Sequence, residues 1–232
     1  MFVLYSIFIS GSPMDGRSLN KHWFMYGIAV LIHVSAFHVH AEERTQALIE
    51  SAMKECDLGR IAQDRSVRLT HFQKGQRLGE RAVETDERSP AAHFALFCNL
   101  GELLRIDGET NIASVLGLRR VLKELDRTIE LAPDHLDALS AKGTFLVRLP
   151  TLFGGDRQKG EHILEDVIRR DPTSVNARLS LAKSYCGGDR HDEAISLASH
   201  ALDLADRQHS EAFIHEARAV LAQLRARAAK AN

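Results

Sequence analysis

The sequence is short of the residues that mark several protein classes. It has three cysteines, and three thiols allow at most one intramolecular bridge. Five prolines and 15 glycines in 232 residues are too few for a low-complexity chain. An excess of one charge is also missing, since 30 Lys and Arg face 31 Asp and Glu for a net of −1. That balance excludes a polyanion-binding arm or a dominant nucleic-acid footprint, which needs clustered base. The apolar share is 44% and the charged share 26%, which excludes wholesale disorder. The length suits one domain with an extension.

A long apolar run is lacking as well. Trp23 to Val39 contains no Asp, Glu, Lys or Arg but is only 17 residues long. A spanning helix needs about 20. Arg17 and Lys21 precede the run, and Val39-His40-Ala41 ends it before Glu42, Glu43 and Arg44. A positive flank, an apolar centre and a small-residue exit are the parts of a secretory signal. Residues 1–41 are therefore expected to be a signal peptide cut after Ala41, with Met14 an alternative start. The expected location is a bacterial periplasm; the alternative is an inner-membrane anchor formed by the uncleaved signal. Glu42, not Cys, follows the cut, so no lipid anchor is implied, and no stable span remains after cleavage. Cys56, Cys98 and Cys186 each lie in or at the end of an apolar helical pattern. They are expected to be buried free thiols, although an oxidising compartment permits one bridge.

The chain repeats itself. Glu87, Pro133 and Pro172 are anchors with alanine five residues on (Ala92, Ala138, Ala177). A β-branched residue lies four before each (Val83, Ile129, Ile168) and a base thirteen before (Lys74, Arg120, Lys159). Asp206 is a weaker fourth anchor. Apolar residues fall at helical spacing on both sides, as in Val121, Leu122, Leu125 and Ile129. Proline suits such a corner, because the residue before it avoids the α region and the ring fits a first helical turn. The unit is helix, turn, helix, with almost no strand signal.

This pattern resembles the tetratricopeptide (TPR) repeat. Residues 175–208 match best, with Leu181, Ala182 and Tyr185 on the first helix and Ala194, Ala198 and Ala201 on the second. Unit 136–172 matches at Leu139, Gly143, Leu146, Gly160, Leu164 and Pro172, with about five extra residues at its inner turn. Unit 90–133 has about twelve extra, around Asp107 to Gly117. The first unit keeps Phe72, Gly75, Ala82 and Val83 but has a degenerate first helix (Ala47, Leu48, Ala52). The resemblance implies an all-α solenoid of three to four repeats over 42–208. Residues 209–232 then form a capping helix with the apolar stripe Ala212, Phe213, Ala217, Val220, Leu221 and Leu224. Its outer face carries Arg218, Arg225, Arg227 and Lys230, favourable charges near a helix C-terminus.

Chemistry is sparse. Leu149 to Gly160 (LPTLFGGDRQKG) lacks the Gly-Lys-Ser/Thr order of a phosphate loop. In its LPxxFGG portion it resembles a loop of exported TPR-like proteins, including the T component of tripartite (TRAP) solute transporters. Leu149, Leu152 and Phe153 are expected to tuck under the bend, with Asp156 capping the next helix. Phe153, Gly154, Gly155 and Asp156 are the loop's candidate contacts. No HExxH, zinc-finger spacing or nucleophile elbow is present. His191, His200, His209 and His215 fall on different faces or in turns. No catalytic residue, metal or cofactor is assigned, and the chain is not expected to be an enzyme.

The functional surface is then expected on the concave side, lined by the first helix of each unit. The resemblance places Ala91, Phe94 and Cys98 there in one unit, Asp137, Ser140 and Thr144 in the next, and Asn176, Leu179 and Lys183 in the third. Asn176 and Lys183 match positions where some TPR domains clamp a peptide carboxylate; the other units lack the matching bases. The expected function is an exported scaffold binding a protein or peptide partner. The alternative is a small-ligand-binding accessory of a periplasmic solute transporter. Expressed with its leader in a secreting bacterium, the chain should yield a protein beginning at Glu42 by intact mass. Retention of residues 1–41 in the membrane fraction would establish the anchor instead.

Overall fold

The structure, a computed structural model, describes residues 42–107, 112–186 and 190–231. The expected signal, residues 1–41, lies outside them. The chain divides into two units, Met1–Arg44 and Thr45–Asn232, and the helix pairs belong to the second. Among the described residues there is no strand, and no helix is long and apolar enough to cross a membrane.

The elements are α1 (helical from 42 to 61), α2 (Arg65–Thr85), α3 (Pro90–Asp107), α4 (Ile112–Leu131), α5 (Leu136–Arg148), α6 (Arg157–Arg170), α7 (Val175–Tyr185), α8 (His191–Arg207) and α9 (Glu211–Ala231). One 3₁₀ turn, Thr151–Phe153, stands between α5 and α6. Helices adjacent in sequence pack as neighbours, α5 also touches α7, and α7 touches α9. Odd-numbered helices therefore share one layer and even-numbered helices the other, as expected for stacked helix pairs.

The three strong sequence anchors sit in one turn built three times. Ser89 N–H donates to Asp86 O (3.2 Å), His135 N–H to Ala132 O (3.1 Å) and Ser174 N–H to Asp171 O (3.2 Å). The last residue of each turn then caps the next helix. Ser89 Oγ accepts from Ala92 N–H, His135 Nδ1 from Ala138 N–H and Ser174 Oγ from Ala177 N–H. Each satisfies one of the orphan donors of a helix start. The capped alanines are fully buried, which explains why alanine recurs five residues after each anchor.

Small residues let the pairs close. A Cβ on Gly143 would sit 2.8 Å from Leu164 Cγ, and one on Gly160 would sit 2.8 Å from Gly143 O. Helices α5 and α6 therefore cross in contact, with Leu164 and Val167 buried beneath. Ala182, Ala194, Ala198 and Ala201 do the same for α7 and α8, and Tyr185 fills the gap beside them at 2% exposure. Ala217, Val220, Leu221 and Leu224 of α9 complete that core, while Arg218 and Arg225 face outward. The side chain of Lys230 lies outside the described residues.

One expectation is corrected. Cys56 and Cys98 are not free thiols but a disulfide, with Cα atoms 6.4 Å apart and Phe72 packed against them. Both α1 and α3 pair with α2, so two positions 42 residues apart meet, a proximity that helical periodicity alone does not reveal. Only Cys186 is free among the described cysteines. The insertion around 107–117 is helical over its described residues. It lengthens α3 to 18 residues and α4 to 20, with 108–111 outside the described residues.

Gly160→Val should cost about 1–3 kcal/mol by overpacking the α5–α6 crossing, read by urea unfolding. Reduction of the Cys56–Cys98 bridge, which closes a separation of 42 residues, should cost up to about 4 kcal/mol. Cys186→Ser should leave the response to reductant intact.

Candidate functional site

Helices α3, α5, α7 and α9 present one layer of the molecule, and the residues expected to bind a partner lie along it. The structure divides them into a closed polar seam and an open aromatic patch.

The seam joins α5 to α7. Ser140 is 1% exposed and its hydroxyl accepts from Asn176 Nδ2 at 3.0 Å. One turn on, the Thr144 and Ser180 hydroxyls bond each other at 2.7 Å, and Thr144 also reaches Ser140 O at 2.8 Å. A further turn on, Lys183 pairs with Glu216 of α9. These side chains satisfy one another. Asn176 and Lys183 do not form a free carboxylate clamp, because each is engaged by the neighbouring helix.

Leu179 and Cys98 are also corrected as groove residues. Leu179 is 1% exposed and belongs to the core shared by α6 to α9. Cys98 is in the disulfide and faces α1 and α2. In both cases the position lies on the side of its helix that meets the partner helices of the stack.

The open part lies between α3 and α5. Phe94 is half-buried, with its ring centroid 4.6 Å from His135 and 5.6 Å from Phe97. Phe97 in turn meets Phe145 edge-on at 6.2 Å. Asp137, in the first turn of α5, is exposed, as is Ala91. Four rings at offset or tilted angles give a large apolar contact with a polar edge. Sequence reasoning found Phe94 and Asp137 but missed His135, Phe97 and Phe145. The available signal was the i, i+3 spacing of Phe94 and Phe97 on one helix face.

Charge fixes the layer at its ends. Glu102 of α3 accepts from Arg60 of α1 at 2.9 Å and pairs with Arg105 at 2.6 Å. Burial raises the Glu102 carboxyl, but the two guanidiniums outweigh it and hold it below the usual carboxylate range. Under α4, His93 Nδ1 lies 2.6 Å from the buried Glu124 carboxylate, and Nε2 lies 2.9 Å from Glu87 O. The carbonyl only accepts, so Nε2 is the donor of that bond.

The loop after α5 differs from expectation. Asp156 does cap α6, accepting from Lys159 N–H at 3.0 Å. But Leu152 is 87% and Phe153 48% exposed, so neither tucks under the bend. The backbone holds them out. Phe153 and Gly155 N–H both donate to Pro150 O, Gly154 N–H donates to Thr151 O, and Asp156 N–H reaches back to Leu146 O. Gly154 has φ +86°, and a Cβ on Gly155 would lie 1.8 Å from Leu149 O. Both positions require glycine.

Two concavities among the described residues are partly open to solvent. One runs along α6 past Asp156, Glu161, His162 and Glu165; the other lies between α7 and α9 at Cys186 and Arg227. No group of three or more His, Cys, Asp or Glu among the described residues is placed to hold a metal.

No protein-family model matches the sequence, and no curated protein matches it. Among solved structures the chain is similar to a thermophilic TPR protein of Thermus thermophilus. The identity is 21% over 79% of this chain and 94% of that one, at a TM-score of 0.50. It is also similar to MamA of Desulfovibrio magneticus, at 17% identity over 74% of this chain and 96% of that one (TM-score 0.42). A third is YrrB, a TPR protein with an unusual peptide-binding site, at 16% identity over 63% of this chain and 83% of that one (TM-score 0.33). With the repeated helix pairs, the first likeness establishes a TPR-type helical solenoid; it speaks to the fold alone.

Because the fold lowers the Glu102 carboxyl, its contribution is present above the ordinary glutamate value of about 4.3. It is lost as pH falls through the lower folded value. Acid unfolding should show this loss, and Glu102→Gln should lower stability at pH 7 while flattening the acid limb of a Tm-against-pH curve.

Proposed function

We propose that the protein is a non-enzymatic, exported scaffold that holds an extended peptide or partner helix against the layer of α3, α5 and α7. The observation that carries this reading is the aromatic cluster of the half-buried Phe94, Phe145 and His135 with the buried Phe97. It is edged by Asp137 and lies on the face that helix-pair solenoids offer to partners. Rigid aromatic side chains contribute much contact area at little entropic cost and are favoured as binding anchors. Asp137 gives the patch an acidic edge suited to a basic residue of the partner. The polar seam beside it keeps the register of α5 against α7 and acts as support.

Export is supported by the leader-like arrangement of residues 1–41 and by the Cys56–Cys98 disulfide, a bond that persists in oxidising compartments. The second reading, a small-ligand accessory of a solute transporter, takes its support from the LPxxFGG resemblance of Leu149–Gly155. The two partly open concavities, along α6 and between α7 and α9, are not enclosed in the way a site that buries a small molecule is.

A photo-crosslinking side chain placed at Phe94 in the native cell should give discrete protein adducts. The same side chain at His162, on the outer face of α6, should not. Phe94→Ser combined with Asp137→Lys should weaken the partner at least about tenfold, the loss of one anchor residue, with the circular dichroism unchanged. Adducts at 162 alone would redirect the search to α6. A small molecule retained in native mass spectrometry would move the transporter reading to first place.

A further inference from the structure

The loop after α5 carries a feature that the scaffold reading does not use. Single exposed apolar residues are ordinary on protein surfaces. Here two large ones are adjacent at the apex of a loop, and the loop cannot fold them away. Four backbone hydrogen bonds, a left-handed glycine and a glycine wedged on Leu149 O fix the turn with Leu152 at its tip. The side chains project because the backbone is set, so the exposure belongs to the folded state.

The charges around the tip carry a small positive excess. Between 148 and 160 the ionic residues are Arg148, Asp156, Arg157 and Lys159. Asp156 caps α6 through a neutral backbone N–H and keeps its negative charge. Arg157 is bound to Glu161 and to the Ser184 carbonyl, and Glu161 takes a further bond from Ser184. Arg148 and Lys159 are exposed and have no ion-pair partner among the described residues. Arg148 ends α5 and Lys159 lies in the first turn of α6, so they stand on the two shoulders of the loop, behind the tip. The loop thus carries an apolar apex, and Arg148 and Lys159 flank it in sequence against the single carboxylate of Asp156.

An anionic bilayer presents the complementary order: a layer of negative headgroups, then hydrocarbon. We propose that the Leu152–Phe153 tip inserts into an anionic lipid surface while Arg148 and Lys159 sit at the phosphate level. Two weak signals, apolar insertion and cationic attraction, are what reversible membrane attachment requires. Such a contact at the end of α5 orients the scaffold on a membrane, and it does so whether residues 1–41 are cleaved or retained. The inference does not rest on the identity of the partner at Phe94.

The test reads the tip itself, because the apolar run at 23–39 could bring the full chain to lipid by another route. Trp23 is the chain's one tryptophan. Full-length protein with Trp23→Phe and Leu152→Trp carries its only indole at a position open to solvent, where folding is undisturbed. Vesicles of phosphatidylcholine mixed with phosphatidylglycerol should shift its emission to the blue and allow quenching by lipids brominated in the acyl chain. Arg148→Glu with Lys159→Glu should weaken that response at least about tenfold, as each reversed charge should lose its attraction to the surface. Unchanged emission on anionic vesicles would overturn the proposal, even if the protein sediments with them. An equal response from neutral vesicles, or from the charge-reversed protein, would overturn it too.

Discussion

The repeated corner between one helix pair and the next is the interaction on which the rest depends. At Asp86–Ser89, Ala132–His135 and Asp171–Ser174 a single hydrogen bond closes the turn. The residue that donates it then caps the following helix with its side chain. The corner therefore fixes both where one helix ends and where the next begins. With the entry set, a fully buried alanine follows at the same distance each time, and the helices approach over small residues. The α5–α6 crossing at Gly143 and Gly160, and the alanine seam of α7 and α8, are consequences of that placement.

The layers then divide the labour. Even-numbered helices meet odd-numbered ones through apolar cores. Helices α1 and α3 are joined by the Cys56–Cys98 disulfide, whereas α5, α7 and α9 also meet each other through polar contacts, Ser140 to Asn176, Thr144 to Ser180 and Lys183 to Glu216. Each such bond contributes modestly to stability once exchange with water is counted, but it specifies register. Between α3 and α5 the contact is made by rings instead. This packing buries Phe97 but leaves Phe94, Phe145 and His135 partly uncovered, which is why an accessible apolar surface occurs at this joint.

Much of this was legible in the sequence, for physical reasons. Alanine, proline and β-branched residues recur at fixed distances because each corner is the same object, so self-comparison of the chain found the fold. The cap at Asp156 was legible because capping is local. What was not legible was long-range or set by backbone geometry. Cys56 and Cys98 read as two apolar positions, since only the shared neighbour α2 brings them together. Leu179 and Cys98 read as groove residues because the family register does not say how closely the next helices wrap. Leu152 and Phe153 read as buried because they are apolar, whereas the hydrogen bonds to Pro150 O and the strain-free glycines at 154 and 155 hold them outward. His135 was invisible as part of the site because its ring both caps α5 and faces Phe94.

In the proposed scaffold the α3–α5 face, and not the even-numbered layer, receives the partner. Hydrogen-exchange mass spectrometry on the full chain, with and without a peptide selected from a library for binding to it, distinguishes the two. Slowed exchange confined to 90–105 and 135–148 is expected from that placement. Slowed exchange confined to α6 and α8, with those two segments unchanged, would contradict it.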